Sequence, residues 1–172
     1  MTANNPPNAP LVGLVMGSES DKPLMLEGAA ALESLGVPYE MTIASAHRSP
    51  ELARAYAQSA KDRGLKVLIA GAGYAAHLAG VLAAYTILPV IGVPLASSPL
   101  SGLDSLLATV MMPSGVPVAT VAIGGAKNAA YLAAQILALA DPVLAQKLID
   151  YKAKLAQEVA AKAASLSPRD HA

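Results

Sequence analysis

The 172-residue sequence has no cysteine, no tryptophan and no phenylalanine. Without cysteine there is no disulfide, no thiolate metal site and no cysteine nucleophile. Aromatic residues make up only 3% of the chain, all of them tyrosine. The 54% of apolar residues is therefore carried by Ala, Val, Leu and Ile. Small side chains let helices and strands approach closely but leave few large anchors per element. Neighbouring subunits are thus expected to complete the core. Charge is sparse at 14%, and 12 basic residues cancel 12 acidic ones. No basic excess points to nucleic acid, and no cationic face points to a membrane. Apolar stretches are broken by Gly, Pro and Ser, so none reaches the roughly 20 residues of a membrane span. The opening MTANNPPNAP has neither an apolar core nor a basic start, so it reads as a tail and not a signal peptide. A cytoplasmic protein is expected.

What is present is alternation. Leu11 to Met16 is an unbroken apolar run, the pattern of a strand buried on both faces. It ends in Gly17-Ser18-Glu19-Ser20-Asp21, where Asp21 is placed to cap a helix running to Leu35 and stopping at Gly36. Tyr39 to Ala44 is a second strand. Ser49 and Pro50 then open a helix that runs to Arg63 and ends at Gly64. Strands follow at 67–70, 89–93 and 118–123. Helices are expected at 75–84, 102–111, 126–139 and 142–165. This pattern predicts a single domain over 11–165, with disordered tails at 1–10 and 166–172. It is a three-layer αβα sandwich on a doubly wound, five-stranded parallel sheet of order 2-1-3-4-5, plus an extra C-terminal helix. That last helix has no sixth strand to cover, so it is expected against a neighbouring subunit.

In such a sheet, ligands bind at the carboxyl ends of the strands beside the switch in strand order. The crevice lies between strands 1 and 3, so the loops that matter are 17–21, 45–49 and 71–77. The first holds Gly17, Ser18, Ser20 and Asp21, a set equally suited to a helix cap or to a phosphate at a helix start. The second holds Ser45, His47 and Arg48. Arginine presents a fixed fork of donors to phosphate, and histidine is the side chain matched to proton transfer near neutral pH. The start of the next helix biases His47 toward its neutral form. The third loop, Gly71-Ala72-Gly73-Tyr74-Ala75-Ala76-His77, can wrap backbone amides around an anion or a planar base. His77 either contacts substrate or caps the helix. The segment 97–115, rich in Ser and Gly, reads as a covering loop and helix.

Several chemistries are disfavoured. His47 and His77 without a third ligand make a poor metal site, and H-E-x-x-H is absent. The Walker pattern, G-x-G-x-x-G and the G-x-S-x-G of hydrolases are absent too.

Taken together, MGSESD, SAHRSP and AGAGYAAHLAG resemble the signatures of the bacterial N5-carboxyaminoimidazole ribonucleotide mutases of purine synthesis. So do GVPLASSPLSGLDSLLATVMMPSGVPVATVAIG and KNAAYLAAQIL. The resemblance spans residues 11 to 150. It implies a flavodoxin-like fold, a homo-octamer, and conversion of N5-carboxyaminoimidazole ribonucleotide to its 4-carboxy isomer. It implies no metal, nucleotide or organic cofactor, with ATP-dependent carboxylation left to a separate enzyme. Carried over by motif, Ser18 and Arg48 hold the 5′-phosphate and Asp21 accepts from the ribose hydroxyls. Ser45 and Gly71, Ala72 and Gly73 complete the pocket, His47 is the catalytic histidine, and His77 is the family's second histidine. The implied chemistry is loss of CO2 followed by its recapture, with His47 shuttling one proton. This sequence departs from the family pattern at Lys22-Pro23, at Tyr74 and Ala79 (GYAAHLAG for GGAAHLPG), and in a shortened AIGGAKNAA. The sister activity, direct carboxylation of aminoimidazole ribonucleotide by CO2, goes with SAHKT and a Ser-Asn loop. Arg48 and Ala75-Ala76-His77 favour the mutase. A flavin-binding or phosphoacceptor module of the same fold lacks its markers here, having only Tyr74 to stack on a flavin and no acidic residue ending strand 3.

Overall fold

The structure, a computed structural model, describes residues 9–166. The expected tails lie almost wholly outside them. Five parallel strands form one sheet: β1 (Val12–Met16), β2 (Tyr39–Ile43), β3 (Val67–Ala72), β4 (Val90–Pro94) and β5 (Ala119–Thr120). Their order is β2-β1-β3-β4-β5, as the alternating pattern predicts. The register runs Val12 beside Tyr39 on one side and beside Val67 on the other, which brings Met16, Ile43 and Gly71 level at the carboxyl edge.

The helices are α1 (Lys22–Leu35), α2 (Pro50–Ala60), α3 (Leu78–Tyr85), α4 (Leu103–Val110), α5 (Ala126–Ala138) and α6 (Pro142–Ser165). Strand side chains alternate between the two faces. Val12, Leu14, Met16, Ile69 and Ile91 pack with α1, α5 and the start of α6. Val15, Leu68, Ala70 and Val90 pack with α2 and α3 on the other face. The scarcity of aromatics becomes close approach: the buried face of α5 is Ala126, Ala129, Ala130, Ala133 and Ala134. A methyl group at Gly28 of α1 would sit 2.9 Å from the Ala126 carbonyl.

Ends of elements follow local chemistry. Gly36 closes α1 at φ +71, donating to Glu33 O while Val37 N reaches Leu32 O at 3.0 Å, a Schellman closure. Asp141 caps α6, accepting from Val143 N and Leu144 N at 3.0 Å. The expected caps at Asp21 and Ser49 make no such bond. Instead, Ser49 Oγ accepts from Ser45 N at 2.9 Å, tying the second loop to itself.

The fifth strand is much shorter than the expected 118–123. Pro117 precedes it and cannot donate to the ladder, and only Ala119 and Thr120 pair with β4. The chain then turns, with Gly124 at φ +73 donating to Pro94 O. Helix α3 starts at Leu78, not Ala75, because Tyr74 has a left-handed φ of +51 and two tight turns follow it. Helix α2 ends at Ala60, three residues early, as Lys61 to Gly64 turn into β3. In α6, only Leu144 and Leu148 are buried, and every residue from Lys152 to Leu166 is exposed. No helix among the described residues is long and apolar enough to cross a membrane.

Candidate active site

The three loops meet over the carboxyl edge of β1 and β3 in a cleft of about 360 Å³. Ser18, Asp21, Ser45, His47 and Arg48 line one part of it, with Ala72 and Gly73 opposite. Each position is set by the backbone beneath. Gly17 N donates to Gly71 O at 3.1 Å and Ala44 N to Met16 O at 2.9 Å, continuing the sheet's ladder into the loops. The chain after β1 then winds into a short 3-10 turn, Glu19–Asp21, that swings Asp21 inward.

Asp21 is buried, with 7% of its surface exposed. Burial pushes its carboxyl group above the ordinary value, opposed by hydrogen bonds from the Ser18 and Gly17 amides and by the charge of Arg48. A carboxylate so placed has a charge that only a few fixed donors stabilise. A bound ligand's hydroxyls would add to them.

Arg48 bridges the first two loops, its Nη2 donating to Gly17 O at 3.2 Å and its backbone N to Ser45 Oγ at 3.1 Å. One contact fixes the guanidinium and leaves its other donors free for an anion. Ser20 Oγ donates to Ser18 Oγ at 3.1 Å, which orients the Ser18 hydroxyl beside it. Helix α2 begins just past the loop, adding partial positive charge.

His47 and His77 are 30 residues apart in sequence, yet His47 Nε2 and His77 Nδ1 stand 2.9 Å apart. Their rings meet edge to face at 77°. One nitrogen must donate and the other accept, so each ring fixes the other's tautomer. His77 makes no cap bond to α3, which answers one of its two expected roles. Nor does it line the cleft, which it reaches through His47.

Gly71 also stands apart from the cleft lining. It is buried in β3, where a side chain would collide with Met25. Its carbonyl is the one that receives Gly17 N. Further residues line the cleft that the motifs did not single out as contacts: Ser20, Ala46, Tyr74, Ala75, Leu78 and Ser97. Ser97 lies so close over Gly73 that no side chain fits there. The polar richness of 97–115 was its signal. Tyr74 is the one aromatic in the cleft, and its left-handed φ of +51 costs about 1–2 kcal/mol relative to glycine.

A larger hollow of about 490 Å³ lies at the opposite edge of the sheet. There Lys147 is spent on the carbonyl of Leu35 at 2.8 Å. The hollow lacks the convergence of acid, imidazole and guanidinium that marks the first cleft. Among the described residues, no three His, Asp or Glu side chains cluster as metal ligands would.

Fold and cleft together define a doubly wound α/β protein with an arginine- and histidine-bearing cleft at its switch point. Comparison with known proteins narrows the class. The family model described as AIR carboxylase matches residues 11–158. An N5-carboxyaminoimidazole ribonucleotide mutase from Pyrococcus horikoshii is 58% identical over 157 residues, covering 91% of this chain and 89% of the relative. A phosphoribosylaminoimidazole carboxylase from Saccharomyces cerevisiae is 54% identical over 157 residues, 91% of this chain but 28% of that protein. The crystal structure of Treponema denticola PurE superposes with a TM-score of 0.83 at 31% identity, covering 92% of this chain and 99% of that one. The chain belongs to the AIR carboxylase family.

Proposed function

We propose that this protein is an N5-carboxyaminoimidazole ribonucleotide mutase, moving a carboxyl group from the exocyclic nitrogen of the substrate to ring carbon C4. The observation that carries this reading is the convergence of Arg48, Ser18, Asp21 and a paired His47 on one cleft, in a chain 58% identical to a named mutase.

Arg48 and Ser18 hold the 5′-phosphate, since both offer donors beside a helix start. Asp21 accepts from the ribose hydroxyls. Ser45, Ala72 and Gly73 shape the floor and wall. His47 gives a proton to the exocyclic nitrogen as the C–N bond breaks and CO2 leaves. The amine then pushes electrons through the ring, and C4 attacks the retained CO2, forming the new C–C bond. His47 takes the C4 proton, which restores the aromatic ring and returns the histidine to its starting state. One proton goes out and one comes back, so the chain needs no external acid or base.

His77 is a positioning residue in this scheme. Nε2–H of His47 donates to Nδ1 of His77 both when His47 is neutral and when it is an imidazolium. The nitrogen that exchanges protons with substrate is then always Nδ1 of His47. The bond resembles in logic the orienting partner of a catalytic triad.

We further infer a homo-octamer in the cytoplasm, fed by a separate ATP-dependent carboxylating enzyme. Exposed Leu103, Leu107, Val110, Met111 and Ile123 on and beside α4 and β5 support assembly.

The second reading, direct carboxylation of aminoimidazole ribonucleotide by CO2, is favoured by the yeast relative's name. Supplying each substrate alone and following the 4-carboxylate product separates the two. The mutase converts the N-carboxylated ribonucleotide without added bicarbonate. The carboxylase requires the amine and bicarbonate. His47→Asn should abolish turnover and retain a native circular dichroism spectrum, and a fully active His47→Asn would overturn the assignment.

A further inference from the structure

We propose that Tyr74 is the cover of this site: its ring lies against the imidazole of the bound substrate and confines the CO2 released between the two half-reactions. The inference rests on the mutase reading and goes beyond it, to the residue that keeps the intermediate from escaping.

The first ground is backbone strain in the right place. Tyr74 holds φ +51 at the cleft. Glycine would adopt that angle at no steric cost, whereas a bulky side chain there is an outlier of the sort that clusters at ligand clamps. The second ground is that Tyr74 has no structural task of the kind the other tyrosines have. Tyr39 and Tyr56 donate to Glu33 and Glu40. Tyr131 stacks on Tyr151, and Tyr85 lies under Arg54. Tyr74 keeps 58% of its surface exposed.

The third ground is what surrounds it. The cleft lining is otherwise hydrophilic or small, apart from Leu78, which is 1% exposed and belongs to the core. A flat heterocycle entering the cleft therefore finds a single large apolar face, the tyrosine ring. The fourth is connection. Ala76 N donates to Tyr74 O at 2.9 Å and His77 N to Ala75 O at 2.8 Å, so the same two turns that carry Tyr74 deliver His77 to His47. On its other side, Gly73 is pinned beneath Ser97. The backbone is thus held at both ends, and the ring is the large group left to move, by rotation about its own side-chain bonds.

CO2 carries no charge and offers little for a polar wall to hold. Its retention depends on geometry and on exclusion of water. The chain's exposed aromatic ring at the cleft supplies that exclusion.

The test uses substrate labelled at its carboxylate carbon, turned over in a large pool of unlabelled bicarbonate. Wild-type enzyme should pass most of the label into the C4-carboxylate product. Tyr74→Gly, which relieves the strain, should raise KM by about fivefold from lost stacking. It should also release free aminoimidazole ribonucleotide and lose label to the pool. Tyr74→Phe should restore both KM and label retention, because the ring and not the hydroxyl does the covering. Tyr74→Gly with wild-type KM and label retention overturns the inference. So does Tyr74→Phe behaving like the glycine variant, or Tyr74→Gly altering only the assembly size on gel filtration. A wild-type enzyme that makes no 4-carboxylate product from this substrate overturns the mutase reading and the cover with it. Failure of the variants alone leaves that reading intact.

Discussion

Removing the acceptor on His77 tests how much of the proton transfer depends on orientation. In His77→Ala the 2.9 Å bond between His47 Nε2 and His77 Nδ1 is lost, while His47 itself is unchanged. A neutral hydrogen bond contributes about 1 kcal/mol net, and one to a charged group about 1.5–3 kcal/mol. Both histidines are exposed, which places this bond at the low end, about 1.5 kcal/mol when His47 is charged. At 1.36 kcal/mol per decade, kcat should fall about tenfold. Loss of the proton-transfer group itself costs about 10²–10⁴-fold, so the two histidines should separate clearly. KM should hardly move, since His77 does not line the cleft. His77→Asn should recover most of the loss, because the asparagine amide oxygen reaches the place of Nδ1. The assay is steady-state formation of the 4-carboxylate, with thermal melts to verify folding. Equal kcat in His77→Ala and wild type would refute the positioning role. A His77→Ala as inactive as His47→Asn would refute it from the other side, by making His77 a chemical participant.

Two further outcomes follow, one from the charge in the cleft and one from the packing of β1 against α2. Asp21 has a folded-state carboxyl raised above its unfolded value of 3.8, so between those values the folded chain keeps a proton that the unfolded chain has lost. Stability therefore falls as pH rises through that window and stays lower above it. Asp21→Asn should melt higher than wild type at pH 7, with the gap closing below the unfolded value, while the ribonucleotide binds more weakly. A variant less stable than wild type at neutral pH would contradict this. Gly13→Ala places a methyl group into the Tyr56 hydroxyl and 3.0 Å from Leu68 Cδ2, costing about 3 kcal/mol or roughly 6–12 °C in Tm. Adding Tyr56→Phe should return part of it, and strict additivity of the two changes would show that the collision is not the cause.

The strands were legible because a sheet buried on both faces leaves an apolar run that needs no partner to be read. Leu11 to Met16 and β1 differ by one residue. Alternation and handedness gave the doubly wound sheet, and the order 2-1-3-4-5 was the default for five such strands. β5 was not legible in the same way. Val118 to Ile123 looks like a buried strand, but it sits at the sheet's edge, where Val118 and Val121 are only partly buried against the core and Ala119, Ala122 and Ile123 are exposed. Periodicity reports that a residue avoids water; it cannot say whether its own chain or another provides the cover. The cleft was readable in Ser18, Asp21, Ser45, His47 and Arg48, because polar residues after a strand have few other reasons to be there. Gly71 looked alike in sequence, yet its role is to clear space for Met25. The bond between His47 and His77 had no sequence signal beyond two histidines in switch-point loops. It depends on a positive φ at Tyr74, a feature no residue pattern announces when the residue is not glycine.

The exposed apolar face and the cleft share one segment. Leu95 closes β4's end by donating to Ala72 O at 3.0 Å, and its own carbonyl receives the buried hydroxyl of Ser105 at 2.9 Å. Between them the chain passes Ser97, which presses on Gly73 in the cleft, and reaches Gly102 at φ +89 before α4 begins. Helix α4 turns Ser105 and Thr109 inward and exposes Leu103, Leu107 and Val110. A subunit that covers those leucines therefore braces the helix whose other side, through Ser105 and Leu95, sets the wall of the cleft. In the assembly proposed above, the covered face and the site would be joined by two hydrogen bonds and the contact of Ser97 with Gly73. In this arrangement, dilution to the monomer should loosen the wall at Ser97 before it disturbs His47, which is held from β2 and α2 on the far side of the switch point.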